Sequence, residues 1–499
     1  MSFVKEIEKE TNKSVFTENG ALSYESTLDS VLDFFSKSGA LRNKQKEIVN
    51  YFMKAYAQDK TLADKALFYS RDIREGQGER ANFKHILKWL ADTYSEEFKP
   101  NLKLIPEFGR WDDLYALVDT PLEKDAFDVI KQQFDEDIKL LEEDKPVSLL
   151  GKWLKSENTS SKKSKELGKL TRKYLSLNSK DYRQTLSKLR TKIEIVEKMM
   201  SSGNWDQINY EHVPSKAMKG YMKAFKKHDE MRYNEYIQRV KKGEAKINTG
   251  ALYPYDLVKP VFDAINKNET LENLAELDEM WKHLPNYFEG STAQNVMCVV
   301  DVSGSMTWDC GNVKSNILPI HVAISLGLYM AERNQGLFNN YFMTFSSNPK
   351  MVKVQGNNLY EKVKFMSKSN WGDTTDLLKT FKLILDVGMQ NGLKDEEMPK
   401  KLFIISDMQF DEATNSKNDK TTFERIDQMY KDAGYTRPDL IFWNVRASSD
   451  NPVTKDEIGT YLISGMSANI LKHALNTKTL TALDLMLEVL NSERYKDVV

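Results

Sequence analysis

The sequence predicts a multidomain chain: an all-α helical domain over residues 1–290, followed by an α/β domain with a mostly parallel sheet over residues 291–499. Three observations carry that prediction. A chain of 499 residues exceeds one ordinary domain. Before residue 290, apolar residues recur at spacings of three and four, the period of a helix with one buried face. After it, short β-branched and aromatic runs alternate with helical stretches, as in a parallel sheet with helices on both faces.

The helical part opens with the stripe Leu28, Val31, Leu32, Phe34 and Phe35. Ala63, Ala66, Leu67 and Tyr69 follow, then Phe83, Ile86, Leu87, Trp89 and Leu90. Leu186, Leu189, Ile193, Val196 and Met200 form another, and Met218, Tyr221, Met222 and Phe225 the last. Stripes of this kind are packing faces, so the helices are expected to stack as HEAT-like pairs, although no fixed sequence period marks a regular solenoid. Beyond residue 290 the strand runs are Val296 to Val302, Tyr341 to Phe345, Leu402 to Ser406, Leu440 to Val445 and Tyr461 to Ser464. Helical runs from Leu318 to Arg333 and from Leu377 to Val387 lie among them.

The most specific signal is the end of the first strand run. Val299-Val300 leads into Asp301-Val302-Ser303-Gly304-Ser305, so an apolar strand ends in Asp-x-Ser-x-Ser and a helix follows. That order puts three short oxygen-bearing side chains at the carboxyl edge of the sheet, where open α/β sheets bind ligands. Aspartate and serine oxygens are hard donors, matched to Mg²⁺ or Mn²⁺ rather than zinc. Alone, the pattern is equally a polar turn. Two later segments join it. Trp371-Gly372-Asp373-Thr374-Thr375-Asp376 precedes a helical run, and Lys401 to Ser406 reads as a buried strand ending in Asp407. Together the three segments resemble the von Willebrand factor A (vWA) domain and its metal-ion-dependent adhesion site. The resemblance implies a Rossmann-like fold and one divalent cation surrounded by Asp301, Ser303, Ser305, Thr375 and Asp407. Thr375 is chosen over Thr374 because it precedes Asp376, where the family commonly has Gly-Thr-Asp. Such a ligand set leaves part of an Mg²⁺ shell to water or an outside oxygen. A partner's carboxylate or a phosphate is the implied ligand.

The helical half carries three unusual phrases: Arg71-Asp72-Ile73-Arg74-Glu75-Gly76-Gln77-Gly78-Glu79-Arg80, Ile105-Pro106-Glu107-Phe108-Gly109-Arg110-Trp111-Asp112-Asp113-Leu114, and Asn204-Trp205-Asp206-Gln207-Ile208 with Val213-Pro214-Ser215-Lys216-Ala217 after it. The first alternates opposite charges so closely that a structural interhelix network is the favoured reading. Asp112 and Asp113 read as a helix start beside a packed indole, not as a catalytic pair. With the C-terminal pattern, these phrases resemble the DUF2828 family, whose domain organisation is similar to the TROVE module and vWA domain of Ro ribonucleoproteins. From that resemblance alone follow a ring-shaped TROVE-like helical domain and binding of non-coding RNA.

Charge distribution points the same way. The net charge is only −1, but residues 151–250 hold 24 Lys and Arg against 11 Asp and Glu. A local cationic excess is what nucleic acid attracts. The candidate RNA-binding residues are Lys152, Lys155, Lys162, Lys163, Lys165, Lys169, Arg172 and Lys173, then Arg183, Lys188 and Arg190, then Lys216, Lys219 and Lys223. Trp153, Tyr174, Tyr221 and Phe225 lie among them as candidate stacking groups. Any single lysine is more readily a solvated helix position, so the expectation is regional.

Several classes are disfavoured. Six scattered histidines form no His-Glu-x-x-His motif, and Gly76 and Gly78 make no Walker loop. No credible catalytic centre appears, so an enzyme is not expected. Cys298 and Cys310 give no disulfide framework. The N-terminal run from Met1 to Glu6 lacks the plan of a signal peptide and no apolar stretch reaches membrane-spanning length, so a cytoplasmic monomer without a membrane partner is expected. The leading expectation is an RNA-binding Ro-like scaffold for structured or single-stranded RNA, with a vWA site for Mg²⁺ (or Mn²⁺). The rival is a metal-dependent protein adaptor without RNA binding, partnered with an AAA+ ATPase as vWA domains are elsewhere.

Overall fold

The computed structural model describes residues 14–16, 22–42, 44–291, 293, 295–307, 317–345, 348–368, 376–408, 422–446, 451–476 and 480–499. Thr375 with its segment from Trp371, Cys310, and the run from Met1 to Glu6 lie outside the described residues. The chain forms two compact units that alternate along the sequence. One takes the described residues through Ser70, Glu75–Asn82 and Leu252–Asp497; the other takes Arg71–Arg74, Phe83–Ala251 and Val498–Val499. These units do not follow the sequence division at residue 290, because helices from before that position pack with the sheet that comes after it.

The first unit opens with an antiparallel pair, β1 (Ser14–Phe16) and β2 (Leu22–Tyr24), in a region read from sequence as all-α. Strands of three residues are too short to show alternation. Helices α1 (Ser30–Ser38), α2 (Gln45–Gln58) and α3 (Lys60–Arg71) follow. Asp29 caps α1, accepting from the Leu32 amide at 2.8 Å. Leu28 precedes the cap with φ 68°, so the buried stripe begins at Val31. Phe34 meets Phe52 of α2 edge-on, with ring centres 5.2 Å apart.

The second unit is helical. It holds α4 (Ala81–Thr93) from Phe83 onward, α5 (Glu123–Glu142), α6 (Lys162–Tyr174), α7 (Ser179–Lys192), α8 (Val196–Ser201), α9 (Ser215–His228) and α10 (Glu230–Lys241). The 20-residue α5 is its spine, packing against α6, α7 and the helical turn Leu150–Trp153. The unit also holds a buried charge cluster. Arg71 donates to Asp113 through Nε at 2.9 Å and Nη2 at 2.7 Å, and Lys84 lies 3.3 Å from the other carboxylate oxygen. A buried carboxylate needs such compensation.

At Leu252 the chain returns to the first unit with α11 (Pro254–Lys267) and α12 (Leu274–Lys282). The sheet strands are β3 (Val296–Val300), β4 (Tyr341–Thr344), β5 (Met351–Lys353), β6 (Lys401–Ser406), β7 (Asp439–Asn444) and β8 (Thr460–Ser464). Their order is β5-β4-β3-β6-β7-β8, and every neighbouring pair is parallel except β4 with β5. Five strands coincide with the apolar runs read from sequence. The sixth, β5, is a three-residue edge strand with Met351 and Lys353 exposed, so no apolar run signals it. Helices α13 (Pro319–Arg333), α14 (Leu359–Lys368), α15 (Leu377–Gln390), α16 (Thr422–Asp432), α17 (Leu471–Asn476) and α18 (Ala482–Leu490) complete the unit. α11 lies against α13 and α14, and α1 packs against β8. There Gly39 and Gly465 bring two backbones so close that a Cβ on Gly39 would overlap Gly465. Among the described residues, no helix is long and apolar enough to cross a membrane.

Candidate functional site

The Asp-x-Ser-x-Ser segment sits where β3 ends. β3 and β6 are parallel neighbours with Val300 opposite Ile405, so Asp301 and Asp407, far apart in sequence, leave adjacent strands at the same carboxyl edge. Asp301 is fully buried. Its Oδ2 accepts from the Ser406 hydroxyl at 2.6 Å and its Oδ1 from the Ser303 amide at 2.9 Å. Burial, and next the charge of Asp407, push the Asp301 carboxyl up to about 6, against those two hydrogen bonds. Asp407 is also fully buried, and Arg446 donates to its Oδ2 at 3.1 Å.

The donor set matches a hard cation in part. Ser303 Oγ and Ser305 Oγ are 3.1 Å apart. Two neighbouring ligands of an octahedral Mg²⁺, each at ~2.1 Å, stand ~3 Å from one another. The hydroxyl pair therefore fits two neighbouring positions of such a shell. Among the described residues no three His, Cys, Asp or Glu side chains converge as a metal would need, so a cation here would have to draw on serine hydroxyls. The structure thus brings together four of the five residues read from sequence, and adds two. Ser406 orients Asp301, and Arg446 supplies positive charge beside Asp407. Ser406 was readable as the last residue of a strand ending in Asp407. Arg446 carries no motif; it reaches the site because β7 lies next to β6 and ends at the same edge. Cys298 is buried in β3, its thiol pushed up to about 12 by burial.

The basic residues divide by partner. On α6, Lys162, Lys163, Lys165, Lys169 and Lys173 are exposed, as are Arg183 and Lys188 on α7. Lys216 and Lys223 are exposed on α9, while Lys219 and Lys152 are half-buried. Three others are engaged within the fold. Lys155 lies 3.2 Å from Asp112, and Arg172 Nε is 2.7 Å from Glu157. Arg190 donates to the carbonyls of Gly151 and Leu154 and to the Ser156 hydroxyl, all within 2.9 Å. The aromatic groups divide likewise. Tyr174 stacks on Phe127 with ring centres 4.2 Å apart and donates to Glu123 at 2.8 Å, and Phe225 is buried. Trp153 lies under the Arg110 guanidinium at 4.1 Å and remains half-buried.

Comparison with known proteins places these features in a family. The model of one domain of unknown function, DUF2828, matches residues 17–146 and 146–286. That of a second domain of unknown function, DUF7788, matches residues 295–497. An uncharacterized protein of Acanthamoeba polyphaga mimivirus is 30% identical over 513 residues, which span 95% of this chain and 87% of the relative. The first match covers the helical phrases and the second the whole sheet with its Asp-x-Ser-x-Ser edge. The chain belongs to the DUF2828 family.

Proposed function

We propose that this protein is a Ro-like RNA-binding scaffold, a cytoplasmic monomer whose TROVE-like, HEAT-paired helices take structured or single-stranded non-coding RNA. The observation that carries the reading is the cationic surface of α6 and α7. No described carboxylate pairs with Lys162, Lys163, Lys165, Lys173, Arg183 or Lys188, which leaves their charge available to phosphate. In the same reading the sheet edge is a vWA site. Asp301, Ser303 and Ser305 hold Mg²⁺ (or Mn²⁺), Asp407 supports it, and Thr375 belongs to the set by resemblance. The bound cation would present a Lewis-acidic position to a carboxylate or phosphate of a partner. The paired serine hydroxyls beside two buried carboxylates also favour the adaptor reading, in which the metal captures an acidic protein group.

The test is RNA binding by the full chain across a salt series, with a structured RNA bearing a single-stranded tail. The charge-reversed variant replaces Lys162, Lys163 and Lys165 with Glu. Arg172 is left intact because its removal would strip Glu157 of a partner. Wild type should bind with steep salt dependence, and the variant should bind at least about tenfold more weakly. Its log–log salt slope should fall by about 2, at roughly 0.7 for each single-strand phosphate that is no longer neutralised. No binding to any member of a diverse RNA pool overturns the reading. Partner capture that needs Mg²⁺ and disappears in Asp301→Asn would then support the adaptor.

A further inference from the structure

The second unit contains a cleft of about 560 Å³ at the turn Leu150–Trp153 and helices α7 and α8, a size usual for small-ligand sites. Its inner wall is apolar and aromatic: Trp153, Tyr182, Leu186 and Ile195. The Tyr182 ring is fixed by its hydroxyl, which donates to the Lys155 carbonyl at 2.7 Å. Four cations and two carboxylates also line it, and their partners decide what charge the cleft offers a ligand. Arg190 is engaged by backbone carbonyls and a serine. Glu157 is held by Arg172 and by the Ser179 hydroxyl at 2.7 Å, with Arg172 keeping its carboxyl below the usual range. Glu197 accepts from Tyr221 at 3.2 Å. Tyr221 is neutral, so Glu197 keeps its charge; against it stand Lys152, Arg183 and Lys198 at the rim, and the cleft is net cationic. Lys198 touches only the Thr191 hydroxyl and the Ser187 carbonyl among its described partners, and neither cancels its charge.

A cationic rim over an aromatic and aliphatic wall asks for a ligand with an anionic end and a flat apolar end. We infer that this cleft holds a single nucleotide of a single-stranded RNA, its phosphate at Lys152, Arg183 and Lys198 and its base along the Trp153 and Leu186 wall. The assignment rests on the RNA-binding reading and deepens it. The helix surface supplies sequence-independent attraction, and the cleft supplies a stacking site where strand ends or unpaired bases are captured. Double-stranded RNA, with its bases stacked, would be excluded.

The test uses the full chain and fluorescently labelled short oligouridylate and oligoadenylate, with a blunt RNA duplex for comparison, read by anisotropy. The variants are Arg183→Glu and Lys198→Glu, both on exposed side chains, with Trp153→Leu as a third and thermal melts to establish folding. Lys198→Glu should weaken single-strand binding by on the order of tenfold while duplex binding changes little; Arg183→Glu, which also removes a charge from the α6–α7 surface, should weaken both. Folded cleft variants that bind single strands as wild type does overturn the cleft and leave the RNA reading standing. Wild type that binds no RNA overturns both. Wild type that takes a phosphoserine peptide but no oligonucleotide overturns the nucleotide assignment, since the rim then serves phosphate alone.

Discussion

His321 caps its own helix with a ring nitrogen that must stay unprotonated. Its Nδ1 accepts from the Leu318 amide at 2.9 Å at the start of α13, and its ring is 2% exposed beside Phe262 of α11. Nε2 stands 3.8 Å from Asp263, too far for a hydrogen bond. Burial lowers the imidazolium pKa to about 4; Asp263 opposes that shift and Lys259 adds to it. A folded-state value below the unfolded one means that the unfolded chain binds the proton first. The contribution is therefore complete above about pH 6.5 and is lost as pH falls toward 4, by up to about 3 kcal/mol. Denaturant midpoints measured from pH 7 to pH 4 should fall more steeply in wild type than in His321→Gln. Parallel curves would show that His321 does not titrate in this way. The charge cluster at Asp113 follows a related rule. Asp72, Glu75 and Glu79 belong to the same charged phrase as Arg71, yet its partner is Asp113, while Glu79 pairs with Arg42. Arg71 and Glu79 thus act in the packing of the fold, with ion-pair partners from outside the phrase.

At the scale of the element, the sheet edge depends on how closely α13 approaches β3. Gly327 is buried in that helix, where a Cβ would overlap the Val300 side chain. Val300 directly precedes Asp301, so the glycine sets the position of the motif as well as the packing. Ala has the better helix propensity by about 1 kcal/mol, but overpacking a buried site costs about 1–3 kcal/mol. Gly327→Ala should therefore destabilise by about 1 kcal/mol, read by chemical denaturation. Adding Val300→Ala should make the pair less destabilised than the sum of the single changes, because the second substitution frees the space that the first one fills. Strict additivity would mean that the two side chains do not meet. The strands around this contact were legible because each carries an apolar run. The shortest, β1, β2 and β5, were not, since three residues hold too little pattern to separate a strand from a loop.

For the whole molecule, the order of the chain and the order of packing differ. The sheet lies between Val296 and Ser464, but its compact unit also takes the chain before Ser70 and the stretch from Leu252. Family matches divide near residue 290, as the change in sequence pattern does. A fragment of residues 291–499 contains the entire sheet and lacks α1, α11 and α12. Expressed alone, it should show no cooperative thermal transition and should bind hydrophobic dye, because the apolar surfaces of β8 and α13 are stripped of the helices that pack on them. A sharp transition for that fragment would establish 291–499 as an independent domain.

The secondary-structure rhythm, the change of class near residue 290, the strands that end before Asp301 and Asp407, and the cationic excess between residues 151 and 250 can all be read from the amino-acid order. These are local properties, written in spacing and composition over windows of a few to a hundred residues. Which cations are already paired follows from the packed fold. Arg172 and Arg190 look like Lys163 or Arg183 in the sequence, yet the fold engages the first two and leaves the others to solvent. Packing also brings Arg446 to Asp407, and α1, the first helix among the described residues, against β8. Partnering of charges and closure of a core depend on which elements are neighbours in space, and neighbours in space are set by packing that no short window of sequence contains.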